Sequence, residues 1–169
     1  MVSEFDLDKA FADKLVSSAE FCIWLLTQTK FRDHATQAVL LWEEQKLKQR
    51  KFWWRHWWCK SEDGGESETD IFAVFEVPAS SLRFALHVED KPPHGEFTLN
   101  QPLQARARAE FMKKKSQFMN YSDFTTILLA PASFIAKHKS EAKHFELCIT
   151  YEAVGPMIPL FAQALTEAK

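Results

Sequence analysis

The rhythm of apolar positions along this chain changes from helical to strand-like and back, and each change marks an element. Between residues 6 and 28, Phe11, Leu15, Phe21, Ile23, Trp24, Leu25 and Leu26 recur at spacings that predict one or two amphipathic helices, and residues 35–49 read as another. The run from Lys51 to Cys59, with Phe52, Trp53, Trp54, Trp57 and Trp58, is bulky and β-prone, which predicts the first strand of a sheet. Gly64-Gly65 marks a turn into the next. Residues 71–77 are almost continuously apolar, as in a strand buried on both faces, whereas 82–91 alternates, with Leu82, Phe84, Leu86 and Val88 on one side and Arg83, Ala85, His87, Glu89 and Lys91 on the other.

Beyond Lys91, Pro92-Pro93-His94-Gly95 stops the strand, and a helix is predicted from Thr98–Pro102 to about Gln117, with Leu99, Leu103, Ala107 and Phe111 facing the sheet. Residues 125–130 and 145–151 read as further strands. A helix between the Glu89 strand and the 125–130 strand allows the two to lie parallel through a right-handed crossover. The expectation is a single α/β domain over residues 1–169, with a central mixed sheet flanked by helices.

The pattern becomes chemical at the hairpin. If Pro78–Ser81 is its loop, cross-strand partners have numbers summing to 159, and Asp70 faces Glu89. Opposed residues hold their Cβ atoms roughly 4.5–5.5 Å apart, too close for two bare carboxylates without a counter-charge. A divalent cation supplies it. Oxygen ligands suit Mg²⁺ or Mn²⁺, and Lys91 emerges on the Glu89 face beside the ion.

An Asp followed across a hairpin by Glu-x-Lys resembles the active site of the PD-(D/E)XK nuclease superfamily. Phe5-Asp6-Leu7, the helix around Phe21–Leu26, Glu68-Thr69-Asp70, Val88-Glu89-Asp90-Lys91, Gln101, Thr126–Pro131 and Ile149-Thr150-Tyr151-Glu152 are similar to one bacterial branch of it. The resemblance implies a restriction-endonuclease-like core of order αβββαβ and a nuclease that hydrolyses phosphodiester bonds in DNA, with RNA left open as a second substrate. It also implies metal held by Asp70, Glu89 and the main-chain carbonyl of Asp90, and Lys91 as the catalytic amine. Gln101 falls where the family carries a glutamine that contacts the site, although Thr98-x-x-Gln101 is equally a capping-box spacing. Some members add a glutamate from the first helix, for which Glu20 is the nearest candidate, with Glu43 and Glu44 as rivals. His87, on the Glu89 face, reads as a hydrogen-bonding spacer that lines the site.

Charge adds the phosphate-binding candidates. The formal net charge is −2, yet Lys46, Lys48, Arg50, Lys51, Arg55 and Lys60 cluster without an acid among them, and Arg106, Arg108 and Lys113–Lys115 form a second group. Solvated helix faces account for such runs; flanking the metal site, Arg55, Arg106 and Arg108 would hold phosphates. The aromatic run reads mainly as core, with base stacking as the rival role.

In 169 residues no apolar stretch approaches the roughly 18 needed to span a bilayer, and Glu4, Asp6 and Asp8 occupy a region where a secretory signal would be basic, which points to a cytoplasmic protein with no membrane partner. Cys22, Cys59 and Cys148 have no disulfide or zinc spacing and read as buried thiols. Cutting both strands of a duplex would call for a homodimer. The alternative to the enzyme is a non-catalytic nucleic-acid-binding or protein-interaction module of the same fold.

Overall fold

In a computed structural model, which describes residues 1–49, 51–60 and 66–168, the first two helices are separate: α1 (Glu4–Ser17) and α2 (Ala19–Thr27). Ser18 divides them because its side chain accepts from Phe21 N and so caps the second. Then follow β1 (Val39–Leu40), α3 (Trp42–Lys48), β2 (Cys59–Lys60), β3 (Glu66–Ser67), β4 (Ile71–Val77), β5 (Leu82–Asp90), α4 (Gln101–Met112) and β6 (Asp123–Ala130). The chain closes with α5 (Ala132–Lys137), α6 (Lys139–Ala142), β7 (Leu147–Thr150), α7 (Tyr151–Val154) and α8 (Pro159–Glu167).

The main sheet has five strands in the order β1-β4-β5-β6-β7, with β1, β4 and β5 antiparallel and β5, β6 and β7 parallel. This is an α/β structure with a mixed sheet between helices. The hairpin register matches the expected sum, since Ile71 pairs with Val88 and Val77 with Leu82. Alternation then sorts the core. Ile71, Ala73, Phe75, Phe84, Leu86, Val88, Ile127 and Leu129 pack against α1, α2 and α8, while Phe72, Val74 and Ala85 face α4 and Trp57.

Three expectations about elements need correction. The aromatic run is not the first strand of the sheet; that place belongs to Val39–Leu40, inside the stretch expected to be one long helix. Residues 51–58 instead follow an irregular path that buries Trp53, Trp54 and Trp57 and leaves Trp58 exposed. Two adjacent buried indoles do not fit the alternation of a strand, and burial removes Trp54 and Trp57 as stacking platforms for bases. The turn expected at Gly64-Gly65 and the charge of Arg50 lie outside the described residues.

On α4 the buried stripe is Pro102, Ala105, Arg108, Ala109 and Met112, whereas Leu99, Leu103 and Ala107 are exposed. The small side chains of Ala105 and Ala109 are what let the helix lie close to the sheet. The helix ends at Met112 rather than near Gln117. Cys22 and Cys59 are buried, but Cys148 is exposed on the edge strand.

An irregular buried segment must find partners for its backbone. Gln45, fully buried on α3, donates through Nε2 to Trp53 O (3.2 Å) and Phe72 O (2.9 Å) and accepts from Val74 N (2.8 Å). Trp57 Nε1 donates to the same Trp53 carbonyl (2.9 Å), and Phe72 N donates to Trp54 O (2.9 Å). Replacing Gln45 by Leu is expected to destabilise the protein by about 3 kcal/mol, because it leaves buried backbone groups unpaired. Urea unfolding measures this; a loss near zero would show that these groups find other partners.

Candidate active site

Two neighbouring residues at the end of β5 point to opposite sides of the sheet. Glu89 lies on the α4 side and Asp90 on the α1 side, with exposures of 2% and 0%. Asp70 lies in the bend one residue before the Ile71–Val88 pair that ends the ladder, and its Oδ2 accepts from Asp90 N (2.9 Å). Thr69 Oγ1 donates to Val88 O (3.1 Å) and fastens the entry to β4.

On the α4 side Glu89 is surrounded by donors. Lys91 Nζ lies 3.1 Å from Oε1, Gln101 Nε2 donates to the same oxygen, and Arg108 Nη2 is 3.5 Å from Oε2. Gln101 fills both roles that its spacing suggested, because its Oε1 accepts from Thr98 N (3.1 Å) while its amide holds Glu89. Even so, burial together with the charge of Asp70 pushes the Glu89 carboxyl up to about 8, against the pull of Lys91 and Arg108. Burial opposes the charge of Lys91, but Glu89 and Asp70 outweigh it and hold the ammonium above its ordinary range.

On the α1 side compensation is weaker: the charges of Lys91 and Arg55 act on Glu4 and that of Arg55 on Asp8, but among the described residues neither acid has an ion pair. The carboxylate oxygens of Glu4, Asp8 and Asp70 lie within 4.8 Å of one another. Glu4 and Asp8 share a helix face because they are four residues apart, and Ser3 starts that helix with a capping box to Asp6. Asp8 is 1% exposed and neither of its oxygens has a partner; Asp90 offers Oδ1 to the Tyr151 hydroxyl (2.6 Å) and leaves Oδ2 unpaired. Burial, reinforced by Asp90, Asp70 and Glu4, pushes Asp8 up to about 10. Burial likewise drives Asp90 well upward and raises Glu4. A set of oxygen donors this close and this poorly compensated fits a hard divalent cation.

The remaining candidates scatter. Glu20 is exposed in the first turn of α2, and Glu44 is committed to Arg83 (2.9 and 3.0 Å); the first-helix acids that face Asp70 are Glu4 and Asp8. Arg106 pairs with Glu146 (2.6 Å) beside Phe124, four residues below the Glu89 level of β6. Arg108 is 5% exposed and turned to Glu89, so it is a support within the site rather than a surface phosphate ligand. His87 is buried with Nε2 3.0 Å from the Tyr121 hydroxyl, which donates to Ala109 O (2.5 Å). Burial, then the charge of Arg108, keeps this imidazole neutral, as suits a spacer.

No family model, curated protein or solved structure matches this chain. The reading of the site therefore rests on its geometry and on the resemblance of its motifs. Glu4, Asp8 and Tyr151 were missed in the sequence. Their signal was present in part: Asp8 sits on the same helix face as Phe11, Ala12 and Leu15, where an acid is costly unless it has a task.

A pH dependence follows from the raised carboxyls. Glu89 and Asp8 have folded values above their ordinary 4.5 and 3.8, so the folded state binds more protons than the unfolded chain. Their contribution to stability is full below those ordinary values and is lost as pH rises through about 8 and about 10. In EDTA the melting temperature should fall across this window, and Mg²⁺ or Mn²⁺ should raise it most at the alkaline end. Thermal melts over pH with and without metal check this; a profile that is flat and indifferent to metal contradicts it.

Proposed function

We propose that this protein is a metal-dependent nuclease that hydrolyses phosphodiester bonds in DNA, built on a restriction-endonuclease-like core of the PD-(D/E)XK type. The observation that carries the reading is Lys91 held against Glu89 at the end of β5, beside Asp70, which accepts from Asp90 N and stands with Glu4 and Asp8. Asp70 would be the central ligand, with Glu4 and Asp8 on one side and Glu89 with the Asp90 carbonyl on the other. Glu89 would offer Oε2, which has no hydrogen-bond partner, since Oε1 already serves Lys91 and Gln101.

A divalent ion held there would polarise the scissile phosphate and acidify a bound water. The chain's own groups do the rest. Lys91, held beside Glu89, would orient or deprotonate the attacking water and offset charge that grows on the phosphate. Gln101 and Arg108 fix the rotamer of Glu89 from α4, and the Tyr151 hydroxyl fixes Asp90 from the other face.

The test is cleavage of supercoiled plasmid and single-stranded DNA by wild type, Lys91→Ala and Asp70→Asn, each with Mg²⁺, Mn²⁺ or EDTA. Cleavage should need metal and fall by about 10²-fold or more in Lys91→Ala. Metal-induced thermal stabilisation should survive in Lys91→Ala and disappear in Asp70→Asn, which keeps an acceptor for Asp90 N. Cleavage that ignores EDTA or the loss of Lys91 refutes the reading. The engagement of Glu89 Oε1 by Lys91 and Gln101 favours a second reading, a non-catalytic module. Its mark would be metal-independent DNA binding with no cleavage by the folded wild type.

A further inference from the structure

Most cations near the site already have an anion: Lys91 and Arg108 serve Glu89, and Arg83 serves Glu44 and Glu76. Arg55 does not. Its Nε is buried without a partner, and among the described residues its guanidinium forms no ion pair. The guanidinium carbon instead lies 5.4 Å from the ring centre of Phe5, the neighbour of Glu4 on α1. Phe5 places the guanidinium beside the start of α1, and its charge lowers both Glu4 and Asp8.

The position is built rather than incidental. The backbone on either side is fastened, with Phe72 N donating to Trp54 O (2.9 Å), Trp57 Nε1 donating to Trp53 O (2.9 Å) and Arg55 N donating to Phe52 O (3.4 Å). The buried indoles of Trp53, Trp54 and Trp57 anchor the segment, so Arg55 is presented from a fixed base. An arginine free to choose would turn to one of the nearby acids. One held over a ring keeps its fork of donors for an incoming anion, and that fork matches the non-bridging oxygens of a phosphate.

We propose that Arg55 binds a phosphate adjacent to the scissile one, so that the substrate is a strand with consecutive phosphodiesters rather than a mononucleotide. The inference rests on the nuclease reading, because it takes the scissile phosphate to lie at Asp70 and Lys91. A neighbouring phosphate would pass the edge of the Glu4 and Asp8 carboxylates, where charge beyond that of the bound metal favours it. Arg55 supplies that charge, selecting for a chain and setting its direction across the site.

The experiment uses the full chain in a Lys91→Ala background with Mg²⁺, with and without Arg55→Gln or Arg55→Lys. The probe is a short fluorescent single-stranded DNA in which methylphosphonate replaces one phosphate at a time. With Arg55 present, one position next to the scissile bond should weaken binding about tenfold when neutralised. In Arg55→Gln, binding to the unmodified strand should be weaker by a similar factor, that position should become silent, and the slope of log affinity against log salt should drop by about 0.7. Arg55→Lys should recover the salt slope. Circular dichroism melts confirm that the variants are folded.

Unchanged affinity and slope in folded Arg55→Gln, or a methylphosphonate scan identical with and without Arg55, overturns the proposal. Wild type that binds in an Arg55-dependent way but never cuts with either metal overturns the nuclease reading, and with it the adjacency to a scissile bond. Wild type that neither binds nor cuts overturns both.

Discussion

Everything at the candidate site depends on burying several carboxylates where two strands of a hairpin end. Moving such groups out of water is expensive unless charge or hydrogen bonds compensate them. The protein compensates unevenly. On the α4 side Glu89 meets an ammonium, a guanidinium and an amide, while on the α1 side Asp8 and Asp90 share little beyond the hydroxyl of Tyr151. The raised carboxyls on the α1 side express the deficit.

The rest of the architecture serves to hold that arrangement still. The end of the antiparallel hairpin brings Asp70 to Asp90 N, and the parallel crossover through α4 returns Gln101 and Arg108 onto the Glu89 face. The capped start of α1 brings Glu4 and Asp8 to the opposite side. Three separate segments therefore converge on one strand end, each with its own backbone anchored. Preorganised groups of this kind can stabilise charge that develops during a reaction without paying for reorientation at that moment.

Much of this was legible as pattern. The apolar run at 71–77 and the alternation at 82–91 indicated the hairpin and its register from Ile71–Val88 to Val77–Leu82, and the emergence of Lys91 beside Glu89. These are local consequences of a two-residue period. The aromatic run misled because β propensity reports a residue that suits a half-buried pleat, and bulky indoles suit an irregular core segment equally well when a buried Gln45 satisfies its backbone. The stripe on α4 was misassigned because its buried side is defined by small alanines rather than by its leucines.

Sequence alone determined the elements and the pairing that periodicity dictates: the hairpin, the helix after it, the strand at 125–130 and the residue types at Asp70, Glu89 and Lys91. Tertiary structure alone decided which distant residues join them. Glu4 and Asp8 reach Asp70 from the far end of the chain order, Tyr151 meets Asp90 across 61 positions, and Arg108 turns inward while Arg106 pairs with Glu146. The physical reason is one of range. Strand alternation and helix spacing act between near neighbours and leave a trace in the sequence, whereas compensation of a buried charge is a sum over whatever packing brings within a few ångströms.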